Sequence, residues 1–438
     1  MYNILKDEVF KMKKVYKNVN ILDGTKDMIL QENMMITVED GKITSIDKND
    51  SSVEGIDLKG KYLIPGLINL HVHTPGTGFP KKKQSDSKKL AKIIMSNGLT
   101  RYIGLKICES EIKTELLSGT TTIRTVGGLG TIDSKMRDKV KNGKIEGPRI
   151  ISCDEAVTVP GGHMEGSVAY GAKDDEDFVR FINEMAKTAD WIKLMITGGV
   201  LDAKVKGEPG EVKMSEEQVK LCCDTAHQLN KKVCAHVESP KGIEIALRAG
   251  VDCIEHGAVI NEEILNQFKK LNRVLVCTLS PAIPLAKFDQ EVVGGDEIQR
   301  YNAEVLLEGI IEATKTCYAA GVKVGLGTDT CCPFVTHYDM WRELEYAHYL
   351  CGFDRKTCLY LATLNNAEII DIDKQTGSIE KGKAAEFIVV DNNPLDGFDT
   401  IRNPYLVVKG NDEFLQPKIK KSDVAEKYLD AYLESLRA

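Results

Sequence analysis

Nowhere in the 438 residues do eighteen apolar residues run uninterrupted, which excludes a membrane-spanning helix. No CxxC pair occurs, so zinc-ribbon and thioredoxin-type sites have no support. Positive charge is not in excess: 58 basic residues face 65 acidic ones, scattered along the chain, for a net charge of -7. Without a basic domain, nucleic acid is not an expected partner. The mild acidity favours solubility and says nothing of substrate charge. Gly and Pro, at 37 and 13 residues, are near ordinary usage, and collagen-like or low-complexity readings fall away. The opening stretch, MYNILKDEVFKMKKVYKN, breaks every apolar run with charge, so no secretory signal is expected there. Twelve cysteines in so long a chain do not make a disulfide framework. The adjacent pairs Cys222–Cys223 and Cys331–Cys332 read as thiols of a reducing compartment. A cytoplasmic globular protein that touches neither membrane nor nucleic acid is expected.

What is present is ample material for a core, 42% hydrophobic against 28% charged. The length suggests two or three domains, or one large barrel with an appendage. Both ends are β-rich. NMMITVEDGKITSID carries an Asp-Gly hairpin signal at Asp40–Gly41, and GSIEKGKAAEFIVVDNNP and YLVVKGNDEF repeat the texture near the C-terminus. Residues 1–62 and 376–438 are therefore expected to join in one small β-sandwich, with a terminal helix in SDVAEKYLDAYLESLRA.

Between them, residues 63–375 alternate strand and helix patterns. Apolar strands are predicted at 63–73, 121–126, 149–154, 191–196, 232–237, 253–257, 275–279 and 322–329. SEEQVKLCCDTAHQLN and SPKGIEIALRAG are among the helices between them. Eight β/α units in Val-, Ile- and Leu-rich runs are what a parallel barrel requires. The expected fold is α/β, a TIM (β/α)8 barrel with a flanking β-sandwich.

The chain has only eight histidines, and four of them fall at predicted strand ends, the catalytic face of such a barrel. His71 and His73 stand two apart on the first strand and point the same way. His236 ends the fifth strand, His256 the sixth, and Asp329 the eighth. Each alone has an ordinary reading, as a cap, a carbonyl partner or a turn; five such residues at equivalent places are harder to explain so. Lys193 lies in ADWIKLMITGG, inside an apolar strand, where an ammonium is costly to desolvate. Either it reaches solvent or pairs with Asp190 or Asp329, or it is an amine that reacts with carbon dioxide to give a carbamate able to bridge two metal ions.

Taken together, PGLINLHVH, the strand-four Lys, the histidines of strands five and six, and GTD on strand eight resemble the amidohydrolase superfamily of metal-dependent hydrolases. GTTTIRTVGG, GPRI, KKVCAHVESPKGIEIALRAGVDCIEHG and the tail TLNNAEIIDIDKQTGSIEKGKAAEFIVVDNNPL are similar to the subgroup holding imidazolonepropionase and the prolidase-like and arginine-type carboxypeptidases. The resemblance spans residues 15–410. It implies that His71, His73 and Asp329 hold one ion and His236 and His256 a second, with carboxylated Lys193 bridging them. It also implies zinc, two per chain, with other divalent metals open, and a bridging hydroxide that attacks a carbonyl while Asp329 shuttles the proton. Relatives of this kind often assemble as homo-oligomers.

Three positions depart from the pattern. Asn69 stands where the family usually has Asp, Thr125–Val126 replace the Asp of RDxGG, and Glu238 stands where peptidase-like relatives often place Tyr. Glu238 is expected to face the substrate and to favour a hydrogen-bond donor over a carboxylate. His163, in VPGGHMEG, is expected to stabilise a developing oxyanion, and His337, in TCCPFVTHYDM, to contact substrate. His227 and His348 sit in helical patterns, and Cys331 and Cys332 are assigned to packing. The expected activity is hydrolysis of an amide-type C–N bond in a small molecule, a dipeptide or N-acyl amino acid. The alternatives are a cyclic amide such as an imidazolone, hydantoin or purine-like ring, and a scaffold that binds metal without catalysis.

Overall fold

The computed structural model describes residues 13–80 and 86–438; residues 1–12, on which most of the no-signal reading falls, lie outside it. Four strands open the chain: β1 (Lys13–Leu22), β2 (Leu30–Glu39), β3 (Lys42–Lys48) and β4 (Ile56–Pro65). Ten occupy the middle. They are β5 (Leu67–Val72), β6 (Thr120–Thr125), β7 (Arg149–Ser152), β8 (Ala156–Thr158), β9 (Ala169–Gly171), β10 (Trp191–Met195), β11 (Lys232–Val237), β12 (Cys253–His256), β13 (Val274–Cys277) and β14 (Val324–Leu326). Three close it: β15 (Glu386–Val390), β16 (Leu406–Lys409) and β17 (Asp412–Leu415).

The outer strands form one sheet in the order β17-β16-β15-β4-β1-β2-β3. Asp40 and Gly41 join β2 to β3 with φ of 50° and 74°, the doubly left-handed turn that hairpin twist favours. The two ends of the chain meet at β4–β15, where Leu63 lies opposite Val389. Tyr16, Val19, Ile21, Phe387 and Val408 are among the core residues. The expected sandwich of two sheets is a single sheet, because β4 takes β1 on one edge and β15 on the other. It curls until Ile43 N donates to Lys383 O at 2.9 Å.

One peptide carries the chain out of this sheet. Gly66 N donates to Glu386 O at 3.0 Å and Leu67 N donates to Gly119 O at 2.9 Å. A Cβ at residue 66 would lie 2.2 Å from Thr121 Oγ1, so only glycine passes, and the run expected as one strand over 63–73 divides there.

The ten middle strands are parallel, in two ladders, β5-β6-β7 and β14-β13-β12-β11-β10-β8-β9. The expected barrel is therefore not one closed ladder among the described residues. The predicted third strand, 149–154, ends at Ser152, and Asp154 is held left-handed at φ 56°. That strand, β7, pairs with β6, while β8, a strand not predicted, pairs with β10. At the other seam, between β14 and β5, side chains replace the ladder. Asn69 Oδ1 accepts from Thr328 N (3.0 Å) while its Nδ2 donates to Thr328 Oγ1 (2.7 Å). Asn366 Nδ2 donates to Ile68 O and Leu326 O at 2.8 and 2.9 Å. An ionised Asp could accept but not donate, so the amide at 69 suits this seam.

Helices cover the strands as their caps foretell. Ser215 and Gln218 form a capping box on Glu216–Gln228, and Ser239 with Pro240 starts Pro240–Ala249, which Gly250 ends at φ 104°. The terminal helix Asp423–Arg437 is held by the buried Arg342, whose Nη2 donates to Asp430 Oδ1 at 2.6 Å. Among the described residues no helix is long and apolar enough to cross a membrane.

Candidate metal centre

The strand ends bring His71, His73, His236, His256, Lys193 and Asp329 together. Asp329, turned left-handed at φ 59°, gives its N–H to His71 O at 2.8 Å. Its Oδ1 then lies 3.3 Å from His71 Nε2 and 3.2 Å from His73 Nε2. From His71 the rings continue to His256 at 4.7 Å between centroids, and from His256 to His236 at 4.6 Å. Two groups have ligand atoms within 4.8 Å of one another: His71, His256 and Asp329, and His236, Glu238 and His256.

Each imidazole has one nitrogen engaged. His71 Nδ1 faces Glu255 Oε2 at 2.9 Å, His73 Nδ1 donates to Gly127 O at 2.8 Å, and His256 Nδ1 meets Thr278 Oγ1 at 2.7 Å. His236 uses Nε2, 3.2 Å from Gly198 O. These contacts orient the rings and leave the opposite nitrogens of His71, His73 and His256 turned to the site. Burial first, then His163 for His236 and His71 for His256, hold both rings well below the usual histidine range, hence neutral. Burial pushes the Asp329 carboxyl up, but His71 and His73 outweigh it and bring it well below the carboxylate range.

Two imidazole edges converge on one carboxylate oxygen at little over 3 Å, as ligands around a shared cation do. Imidazole nitrogen with carboxylate oxygen is a donor set that zinc and similar divalent ions accept. Lys193 supplies an independent observation. It sits on β10, 1% exposed, and its Nζ has no hydrogen-bond partner among the described residues. It pairs with neither Asp190, which Arg137 holds at 3.0 Å, nor Asp329. An ammonium left so would waste three donors in a dry site. The histidines and Asp329 fit a divalent metal.

His163 stacks on His236, centroids 4.2 Å apart and planes within 8°, and its Nδ1 meets the Asp202 carboxylate. Glu238 is buried; its Oε2 accepts from Val200 N at 3.1 Å, and Oε1 is 4.0 Å from His236 Nε2. Burial, then Asp329, raise its carboxyl well above the usual range. His337 lies apart. Its Nδ1 meets Glu115 Oε1 at 3.0 Å and its Nε2 meets Gly76 O at 2.8 Å, so the enclosed ring has no face open to a substrate. His227 and His348 lie on helices and meet Asp252 and Phe353 O. Cys331 Sγ donates to His73 O and Gly76 O at 2.8 and 3.0 Å, and burial holds both it and Cys332 well above the usual thiol range.

Two residues behind the site escaped the sequence reading. Arg124 on β6 and Glu255 on β12 pair in the interior, and Glu255 holds His71. Their only local signal is a charge inside an apolar strand, in TTTIRT and CIEH. Asp202, which holds His163, gave no signal: an Asp after a Gly-Gly turn is ordinary.

The sequence profile of the amidohydrolase family matches residues 62–423. Ochratoxinase of Aspergillus niger is 26% identical over 390 residues, covering 82% of this chain and 76% of that protein. The 5-methylthioadenosine/S-adenosylhomocysteine deaminase of Bacillus cytotoxicus is 26% identical over 422 residues, 87% of this chain and 86% of the other. A solved structure from Bifidobacterium longum, provisionally assigned as a prolidase, superposes with a TM-score of 0.82 at 32% identity, over 97% of this chain and 99% of the other. The chain belongs to the amidohydrolase family of carbon–nitrogen hydrolases.

Proposed function

We propose that this protein is a metal-dependent amidohydrolase that cleaves the amide-type C–N bond of a dipeptide or N-acyl amino acid. In this reading the two parallel ladders act as one (β/α)8 barrel, its seams carried by Asn69, Asn366 and the break at Asp154. The observation that carries it is Lys193, an enclosed strand amine without a partner beside four strand-end histidines and Asp329. His71, His73 and Asp329 would hold one zinc or other divalent ion, and His236 and His256 a second, with carboxylated Lys193 between them. Such ions supply Lewis acidity, polarising a carbonyl and making water nucleophilic near neutral pH.

The chain's own groups do the rest. Asp329 keeps Oδ1 against the two imidazoles and has Oδ2 free of any nitrogen donor; this oxygen takes the proton of the attacking water and returns it to the leaving nitrogen. His163, its ring held through Nδ1 by Asp202, turns Nε2 to the carbonyl oxygen, where an N–H would steady the charge that develops. Glu238 lines the pocket beside His236 and accepts from a donor on the substrate. Linear amides are favoured by the retained Lys193 and by the likeness to the Bifidobacterium structure. Glu238 and the deaminase relative favour the second reading, a cyclic amide.

The test is metal analysis of the purified chain together with a hydrolysis screen of the zinc-loaded protein against dipeptides, N-acyl amino acids and cyclic ureides. Two ions per chain with turnover of linear amides is the expected result. Turnover confined to cyclic ureides would move the assignment to the second reading. A metal-free native protein that added zinc does not activate would leave a scaffold.

A further inference from the structure

The exposed apolar side chains of this protein are not spread evenly. Six of the sixteen large ones among the described residues, Leu90, Ile93, Leu99, Tyr102, Ile103 and Ile107, fall within eighteen positions. They belong to a helical hairpin, Ser87–Met95 and Gly98–Leu117, turned at the capping box of Asn97 and Thr100. On the longer helix Leu99, Tyr102, Ile103 and Ile107 recur at i, i+3, i+4 and i+8, which makes one stripe. The opposite side of that helix is already used, since Cys108 and Ile112 are buried in the cluster around Ile123. An apolar stripe left outward once the core is satisfied marks a contact with something else.

The charge around the stripe has one sign. Residues 87–107 hold Lys88, Lys89, Lys92, Arg101 and Lys106 and no acid, in a chain whose net charge is -7. Lys88 is taken by Glu165 and Lys106 by Glu109, while Lys89, Lys92 and Arg101 have no acidic partner among the described residues. A second copy brought up by a two-fold axis would set these cations against themselves. A nucleic acid would pair with the cations and leave six apolar side chains in water. A surface of anionic lipid accepts both: the stripe enters the boundary between headgroups and acyl chains, and the long basic side chains reach out to the phosphates.

We propose that this hairpin is a docking surface for a membrane that carries anionic lipid. The expectation of no membrane contact concerns chains that cross a bilayer. A helix lying flat in the interface needs no spanning run, and none is present among the described residues. The hairpin follows β5, which has His71 and His73 at its end, and Lys88 ties it to Glu165, two residues past His163. The docked face therefore lies on the strand-end side of the molecule, where the histidines are.

Vesicle binding by the full chain tests it. Wild type should sediment with vesicles of phosphatidylcholine and phosphatidylserine, far less with phosphatidylcholine alone, and salt should weaken the binding. Lys89→Gln/Lys92→Gln should weaken it roughly 10–30-fold. Leu99→Asp/Ile103→Asp should abolish it, with Tm near wild type because both side chains are exposed. The native tryptophans, Trp191 and Trp341, are buried, so the fluorescence of Tyr102→Trp reports on the stripe and should shift to the blue with the anionic vesicles. The proposal is overturned by no binding to phosphatidylserine vesicles at low salt, by equal binding to neutral ones, or by binding that survives Leu99→Asp/Ile103→Asp. The same blue shift with polyglutamate would overturn it too and make the partner an acidic peptide. A stable dimer that Leu99→Asp/Ile103→Asp splits, with no vesicle binding by wild type, would make the occupant a second copy. None of these measurements involves turnover, so the hydrolase reading stands or falls apart from them.

Discussion

Arg124 and Glu255 form an ion pair that water does not reach, with both side chains fully enclosed and Nη2 2.6 Å from Oε1. Arg124 is anchored in turn by Nε, which donates to Leu70 O at 2.8 Å. The second oxygen of Glu255 faces His71 Nδ1, so the guanidinium orients a carboxylate that orients a metal-site imidazole. Removing either partner strands the other charge in the interior, a loss of about 3–5 kcal/mol. Arg124→Leu and Glu255→Leu should therefore each unfold at markedly lower urea than wild type. The double variant should recover part of the loss, since two apolar side chains leave no stranded charge. Its zinc affinity should stay roughly 10–100-fold down, because His71 no longer has its acceptor. Urea titrations and zinc titrations of the three variants check both statements.

Lys193→Ala should lose most of its metal and its activity, since nothing then stands between the two halves of the ligand set. Acetate or propionate in solution should restore part of the rate by placing a carboxylate where a carbamate on Lys193 would stand. A variant with two tightly bound ions and full activity would remove the bridging role.

Asp329→Asn should hold substrate within a modest factor of wild type and lose turnover by about 10²–10⁴-fold, the range that general acid–base groups contribute. Asn cannot take the proton at Oδ2. Near-normal kcat with unchanged zinc content would show that the proton travels elsewhere.

His337 predicts a pH dependence. Burial works against a charged ring, but Glu115 and then Glu111 outweigh it and raise His337 above its usual range. Burial also raises the Glu115 carboxyl, which would weaken the pair. The ion pair is nonetheless the better reading, because only a doubly protonated ring can donate to both Glu115 and Gly76 O. A raised folded value stabilises fully below the unfolded histidine value of about 6.5, and that contribution is lost as pH rises through the folded value. Wild-type Tm should fall more steeply as pH rises above about 6.5 than that of His337→Gln. Parallel slopes would place the titration elsewhere.

The histidine cluster was legible because histidine is scarce here and each member falls at or just past the end of a strand whose apolar run marks it. Lys193 was legible for the same reason, as a charge in a run that otherwise excludes charge. The seams were not. Asp154 parts β7 from β8 through a backbone angle that its residue type permits but does not announce, and Asn69 and Asn366 act through side-chain bonds to residues far along the chain. Arg124 and Glu255 lie 131 positions apart, so no local pattern joins them. His337 sat in a loop beside the strand-eight motif, and sequence alone could not show that two acceptors would enclose it. The β texture of both ends was legible, whereas their union in a single sheet depends on which edges of β4 are taken.

That union also sets an order of events during synthesis. Until residues 386–409 have left the ribosome, β4 has an open edge where β15 will lie, and Tyr16, Ile21 and Leu63 have no Phe387 or Val408 to pack against. The nascent protein therefore carries an unfinished sheet, edge strand and apolar face together, through the making of the whole catalytic unit. Edges of this kind are templates for pairing with other chains. A chain stopped short of β15 would not be a smaller enzyme but one with an exposed and adhesive flank.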